Sequence, residues 1–309
     1  MLYSLILFMI VVTFLGTVSG IPSKERSHPA IVLEYFGEKK DTLLFDCGEG
    51  TQKQLMLSGI SFMDINKIFI THWHADHFAG LIGLIQTMNL EKRKNELKIF
   101  GPEAEKFVSD IVDLGYFGLR FPVTAINVPF EGEEIVKIDE AEEYEIYSIP
   151  VLHTVPSVAY CFKEKDKWSI DVEKLRQLGL RRGSWLKKLK KYGAVSVKGK
   201  NIKLEEVAKV KKGLKVVYTG DTKPCDNVIK IARDSNLLIH DSTFLEEEEG
   251  KAHADVKQAA QVAKAAEVKQ LILTHISRRY TDASVLEKAA KKVFPNTRVA
   301  YDFMKVKLK

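Results

Sequence analysis

The segment Thr71-His-Trp-His-Ala-Asp-His77 constrains this chain more than any other. It sets three histidines and an aspartate close together, directly behind an apolar run at 67–70. A lone histidine is usually a partly buried polar side chain. Several of them with a carboxylate at one strand end must each find a partner in one small volume, and a divalent metal supplies it. Imidazole nitrogen and carboxylate oxygen suit zinc and leave manganese or iron open. Three further candidates also lie just beyond a strand: His153 after 144–149, Asp221 after 214–218 and His275 after 270–273. Singly, each reads as easily as a structural residue. Together, His72, His74, Asp76, His77, His153, Asp221 and His275 are enough for two ions, with positions left open for water. In α/β sheets the carboxyl ends of strands converge on one crevice, so distant positions can meet.

The rest of the pattern is layered α/β. Short apolar runs at 30–35, 42–45, 97–100 and 237–240 alternate with helical spacing at 78–89, 103–114, 255–267 and 283–293. Val256, Ala259, Ala260 and Ala263 recur at helical intervals, and Asp282 is placed to cap the last helix. The start reads two ways. Residues 1–15 are nearly all apolar, and Thr17-Val-Ser-Gly20 resembles a small-residue cleavage site, but no Lys or Arg precedes the run as a leader requires. The run falls short of the roughly 20 residues that span a membrane. Residues 10–15 followed by Gly16 read equally well as a buried strand ending in a turn. Cys47, Cys161 and Cys225 form no CxxC pair, which argues against a disulfide framework or a cysteine metal cage and points to a reducing, cytoplasmic setting.

Charge is unevenly spread. The net +6 conceals a block from Lys163 to Lys215 with 18 Lys or Arg against 6 Asp or Glu, so the remainder is mildly acidic. Within the block, 181–192 has helical spacing that puts Trp185, Leu186 and Leu189 on one face and Lys187, Lys188, Lys190 and Lys191 toward solvent. Such a block suits a polyanionic partner; a solvated lysine face and a membrane surface stay open on composition alone.

Longer motifs narrow the choice. His72-Trp-His-Ala-Asp-His77 matches the HxHxDH signature of metallo-β-lactamase-fold hydrolases. Thr13-Phe-Leu-Gly-Thr17, Ser19-Gly-Ile-Pro22, Phe45-Asp-Cys-Gly-Glu-Gly-Thr-Gln52, His153-Thr-Val-Pro-Ser-Val-Ala-Tyr160, Gly220-Asp-Thr222 and Leu273-Thr-His-Ile-Ser-Arg-Arg-Tyr280 together resemble the ribonuclease Z family, in order from about Val11 to near the C-terminus. The resemblance implies a single domain over 1–309 with the four-layered αββα metallo-β-lactamase fold, and an inserted basic arm at 163–212 that grips transfer RNA. Residues 1–9 are an atypical extension. It also settles the start as a strand, because cleavage near Gly20 would delete a family strand.

The resemblance further implies two zinc ions per subunit. His72, His74 and His153 would hold one, Asp76, His77 and His275 the other, with Asp221 bridging and Asp46 orienting a ligand histidine from beneath. The implied reaction is cleavage of the 3′ trailer from precursor tRNA, leaving a 3′-hydroxyl on the tRNA and a 5′-phosphate on the trailer. Asp76 would orient the attacking water and accept its proton, and His253 would protonate a departing 5′-oxygen of the trailer. Arg181, Arg182, Lys187 and Lys188 are the expected RNA contacts, and a homodimer without membrane attachment is the expected assembly. Two departures stand out: His240-Asp-Ser-Thr243 where the family has His-Glu-Ala-Thr, and His253-Ala-Asp255 where it has His-Ser-Thr, which puts phosphate contacts at 254 and 255 in doubt. Another hydrolase of this fold, acting on small phosphodiesters or thioesters, would keep the ligands but need no basic arm.

Overall fold

The apolar run at the start of the chain is an inner strand. Met9–Gly16 lies between Ala30–Phe36 and Lys305–Leu308 and is antiparallel to both. The computed structural model describes residues 9–114, 118–197, 199–246, 248 and 252–309. Met9 therefore belongs to the strand, and the rest of the expected extension, 1–8, lies outside the described residues.

Two compact units emerge: Met1–Lys163 with Leu214–Lys309, and Glu164–Gly213. In the larger unit the first sheet runs in the order Lys305–Leu308, Met9–Gly16, Ala30–Phe36, Lys40–Phe45, Ile65–Phe69, Leu97–Gly101, Val123–Asn127. The second runs Thr297–Val299, Leu271–Thr274, Leu237–Asp241, Lys215–Tyr218, Val158–Glu164, Tyr144–Pro150, Val136–Glu140. Strand side chains alternate between faces, and both sheets use that period to bury both sides. Ile31, Leu33 and Tyr35 join Val158, Tyr160 and Phe162 in the core between the sheets. Ala30 and Val32 face the helices Thr51–Ser58, Gly80–Leu90 and Ala104–Asp113 instead, while Ala159 and Cys161 face Asp226–Ala232, Val256–Ala265 and Ser284–Lys291. The result is the αββα sandwich.

Aromatic rings join the two sheets beneath the strand ends. Phe69 stacks between Phe45 and Phe100 at centroid distances of 5.0 and 4.7 Å and meets Tyr160 of the second sheet edge-on at 5.4 Å. Each such pair adds about 0.5–1.5 kcal/mol beyond the area it buries. The Tyr160 hydroxyl donates to the carbonyl of Ile70 at 2.7 Å, one residue before the histidine segment begins. This rigid floor fixes where that segment leaves the first sheet.

Several local expectations shift. The helix expected at 78–89 is divided into Ala75–Phe78 and Gly80–Leu90, so Asp76 and His77 are themselves helical. Asp255 caps Val256–Ala265, accepting from the N–H groups of Lys257 and Gln258, while the Gln258 side chain returns a bond to the Asp255 N–H. Asp282 accepts from the Ser284 N–H at 2.9 Å, although Ala283 occupies the cap position. The three cysteines are unpaired.

The smaller unit has its own core of Leu175, Leu180, Leu189, Ile202, Leu204, Val207 and Ala208. It contains two hairpins, Lys167–Ile170 with Ala208–Lys211 and Ala194–Val197 with Lys200–Lys203, and the helix Trp185–Tyr192. Leu189 is buried and Trp185 and Leu186 pack beside it, so the apolar face of the basic helix is used inside this unit. Among the described residues no helix is long and apolar enough to cross a membrane.

Candidate metal centre

Every expected ligand sits where a strand ends. Ile65–Phe69 leads into His72, His74, Asp76 and His77; Tyr144–Pro150 into His153; Lys215–Tyr218 into Asp221; and Leu271–Thr274 into His275. Asp46 and His275 leave their strands with φ of 55° and 60°. Non-glycine residues seldom adopt that region, and such strain gathers at functional sites. Gly220 has φ 59°, and a Cβ there would come within 2.6 Å of Thr71, so only glycine lets the Asp221 turn approach the histidine segment.

Two groups of donors form around Asp221. In the first, His74 Nδ1 lies 3.0 Å from His72 Nε2 and 3.2 Å from His153 Nε2, with Asp221 Oδ2 at 3.7 and 3.9 Å from the latter two nitrogens. In the second, Asp76 Oδ2 lies 3.6 Å from His77 Nε2 and 3.5 Å from His275 Nε2. Asp221 joins them, with Oδ1 at 3.3 Å from His77 and Oδ2 at 3.2 Å from His275. Tetrahedral zinc with bonds of about 2.0–2.1 Å separates neighbouring donors by roughly 3.3 Å, which matches these spacings.

Hydrogen bonds on the far side of the rings set their tautomers. His77 Nδ1 donates to Asp46 Oδ2 at 2.7 Å, and His153 Nδ1 donates to the Ala252 carbonyl at 3.1 Å. The Thr71 hydroxyl donates to Asp46, so it accepts from His72 Nδ1; the Thr243 hydroxyl donates to Asp241, so it accepts from His275 Nδ1. Each of these rings therefore turns its Nε2 inward, the nitrogen that metal-ligating histidines present once its proton is released. His77 Nε2, His275 Nε2 and Asp221 Oδ1 are buried with no hydrogen-bond partner. Leaving a buried polar atom unpaired costs about 1–3 kcal/mol, more for a charged one, and a shared cation removes that cost.

The electrostatics agree with this arrangement. Burial pushes His72 well below the ordinary histidine value and lowers His74 and His153, keeping these rings neutral. Burial also opposes charge on Asp221, but the facing His275 and His77 outweigh it and hold its pKa well below the usual carboxylate range. On the acidic side the balance reverses. Burial opposes protonation of His275, yet Asp221, Asp241 and Asp76 raise it to about 10. That side attracts positive charge, and metal binding to such a site releases protons.

Sequence reasoning missed several supporting residues. Asp241 Oδ2 accepts from His253 Nδ1 at 2.8 Å and from the Thr222 N–H, while its Oδ1 accepts from the N–H and hydroxyl of Thr243. Its position at the end of Leu237–Asp241 was the available signal. Burial works against charge on His253, but the Asp241 bond and the charges of Asp241 and Asp221 carry its pKa above the ordinary value. His253 stacks on His275 at 5.1 Å and remains partly exposed at the rim. Tyr218 donates to Asp46 Oδ2 at 2.7 Å across the two sheets, and Thr71 N–H donates to Asp46 Oδ1 at 2.8 Å. The Gly20 N–H donates to Asp76 Oδ2 at 2.9 Å. The Asp255 carboxylate, in place of a family hydroxyl, is engaged in its helix cap. Arg181, Arg182, Lys187 and Lys188 are exposed in the smaller unit.

Comparison with known proteins agrees with the geometry. Residues 10–111 match the family described as Anti-Pycsar protein Apyc1, and residues 206–276 match the beta-lactamase superfamily domain. The fold resembles a human short-form tRNase Z (TM-score 0.68, 27% identity, covering 96% of this chain and 98% of that one). It also resembles a metallo-β-lactamase fold protein from Bacillus subtilis (TM-score 0.69, 18% identity, 97% and 100% covered). Ribonuclease Z of Pyrococcus abyssi is 42% identical over 97% of both chains. With 45% identity to ribonuclease Z of Methanothermobacter thermautotrophicus over 97% of both chains, this protein belongs to the ribonuclease Z family.

Proposed function

We infer that this chain is a metal-dependent endoribonuclease that removes the 3′ trailer from precursor tRNA. The observation that carries the reading is the convergence of inward-facing histidine nitrogens on Asp221, with the His253–Asp241 pair at its rim.

His72, His74 and His153 would hold one zinc ion and Asp76, His77 and His275 a second, with Asp221 shared between them. His253 and Asp241 also come within ligand range of Asp221 and His275. Both Asp241 oxygens are already hydrogen-bonded, which favours a proton-handling pair over a third ion. Metal bound here supplies Lewis-acid chemistry, activating water and neutralising charge on the phosphate. Asp76, its Oδ2 steadied by the Gly20 N–H, orients the attacking water and takes its proton.

Water oxygen bonds to the phosphorus after the discriminator nucleotide, and the P–O3′ bond breaks. The trailer leaves with a 5′-phosphate, and the departing atom is the 3′-oxygen of the tRNA. A departing 5′-oxygen, the sequence-based expectation, does not balance with these products. His253, whose pKa the bond to Asp241 raises, delivers the proton to that 3′-oxygen. Chelation should abolish cleavage of precursor tRNA and added zinc should restore it; undiminished cleavage by a metal-stripped protein would overturn the reading.

The unit Glu164–Gly213 is proposed as the arm that holds the tRNA body, with a homodimer in the cytoplasm as the working assembly. Neutralising Arg181, Arg182, Lys187 and Lys188 together takes away up to four cations that pair with phosphates. The slope of log affinity against log salt should then flatten by about 0.7–0.9 for each phosphate left without its cation. Unchanged affinity and slope would remove these residues from recognition.

A further inference from the structure

Far from every ligand in sequence, Asp302 grips both ends of one loop. Its Oδ1 accepts from the Thr17 hydroxyl at 2.8 Å, and its Oδ2 accepts from the Ser27 N–H at 2.7 Å. The same two residues close the loop by backbone, the Thr17 N–H donating to the Ser27 carbonyl at 2.9 Å. Gln54 donates to Asp302 Oδ2 at 3.1 Å and to the Leu15 carbonyl at 2.6 Å, so the carboxylate is itself anchored. Arg26 Nη1 donates to the Thr17 hydroxyl at 2.6 Å and to the Ala300 carbonyl at 2.7 Å. The base of the loop admits no slack, since a Cβ on Gly16 would come within 1.7 Å of the His28 carbonyl oxygen.

The far side of this loop reaches the metal centre. The Gly20 N–H donates to Asp76 Oδ2, and His28 Nε2 lies 3.1 Å from the Gly20 carbonyl, in position to donate and fix that peptide. Backbone bonds from Ser19 N–H to the Ile276 carbonyl and from Ile276 N–H to the Thr17 carbonyl tie the loop beside His275. Asp76 Oδ2 is also the oxygen that faces His77 and His275. The Gly20 N–H thus anchors the Asp76 carboxylate from outside its own helix.

We propose that Asp302 is a positioning residue for Asp76, acting through the loop 17–27 to fix the carboxylate of the second metal position. This rests on the reading of Asp76 as ligand and proton acceptor. Groups that bond a metal ligand directly typically change metal affinity or activity about 10–100-fold, and Asp302, one step removed through the loop, is expected at the low end, about tenfold. Asp302→Ala should therefore weaken the second ion by about that factor in chelator competition and lower kcat in parallel. The first ion, KM for precursor tRNA and RNA binding should stay near the parent values.

A double-mutant comparison separates positioning from general destabilisation. In an Asp76→Ala background, Asp302→Ala should have no further effect on cleavage, because its route of action is gone. Thr17→Val, which keeps the shape of the side chain but deletes its bonds to Asp302 and from Arg26, leaves the Asp302 bond to the Ser27 N–H in place and should act in the same direction more weakly, and it carries the test if Asp302→Ala does not fold. Ion affinities and kcat within twofold of the parent in the Asp302 variant, or in the Thr17 variant where that one stands in, would overturn the proposal. So would effects of Asp302→Ala and Asp76→Ala that simply add. If Asp76→Ala alone keeps both ions and the full rate, it is the reading of Asp76 that fails.

Discussion

Replacing Asp221 with alanine should slow cleavage of precursor tRNA by on the order of 10³-fold or more, because a metal centre contributes several kcal/mol to a charged transition state. Bound metal should fall from the two ions proposed toward none. The size of the effect follows from position. Asp221 is almost fully buried and faces His72, His77, His153 and His275 within 3.2–3.9 Å, so both donor groups depend on it. Its charge, with that of Asp76, also makes the buried pocket favourable to cations. Metal analysis and single-turnover cleavage on one preparation check this. Retention of both ions with a rate within tenfold of the parent would contradict the bridging role.

His253→Ala should slow the chemical step by about 10²–10⁴-fold, the usual range for a positioned general acid. Metal content and RNA affinity should persist. The bond from Asp241 holds the ring at the rim of the pocket, and the outer nitrogens of His72, His77, His153 and His275 are oriented by groups other than His253. The departing atom gives a sharper test. A precursor with sulfur replacing the 3′-oxygen at the scissile bond has a leaving group that needs little protonation. On that substrate the His253 variant should approach the parent rate. An equal defect on both substrates would take proton delivery to the 3′-oxygen away from His253.

Much of this site was legible because its ligands follow strands that local patterning reveals. The density of His72, His74, Asp76 and His77 pointed to a metal, and His153, Asp221 and His275 were read as candidate ligands by the same relation to a strand end; the structure brings all seven together. What supports them was not legible. Asp241 and Thr243 were noticed only as a departure from a family motif at the end of an apolar strand, and their purpose appears when His253 and His275 arrive from elsewhere. Tyr218 reads as an ordinary core aromatic until the second sheet places its hydroxyl on Asp46. The Gly20 N–H carries no side-chain signature at all.

The fold divides in the same way. Buried inner strands such as Ala30–Phe36 announce themselves by continuous apolar residues. Edge strands such as Val136–Glu140 and Lys305–Leu308 alternate charged and apolar residues over a few positions, a pattern shared with loops. The basic helix Trp185–Tyr192 showed its apolar face, but not that the face would be covered by Leu175, Ile202 and Val207 from elsewhere in the same unit.

The most direct measurement of the central claim is single-turnover cleavage of a precursor tRNA labelled at each end in turn, with both product ends mapped to the nucleotide. One cut after the discriminator, a 3′-hydroxyl on the tRNA and a 5′-phosphate on the trailer are the predicted products. Cuts scattered along the trailer, a 3′-phosphate on the tRNA, or no cut by a folded protein carrying its metal would contradict it.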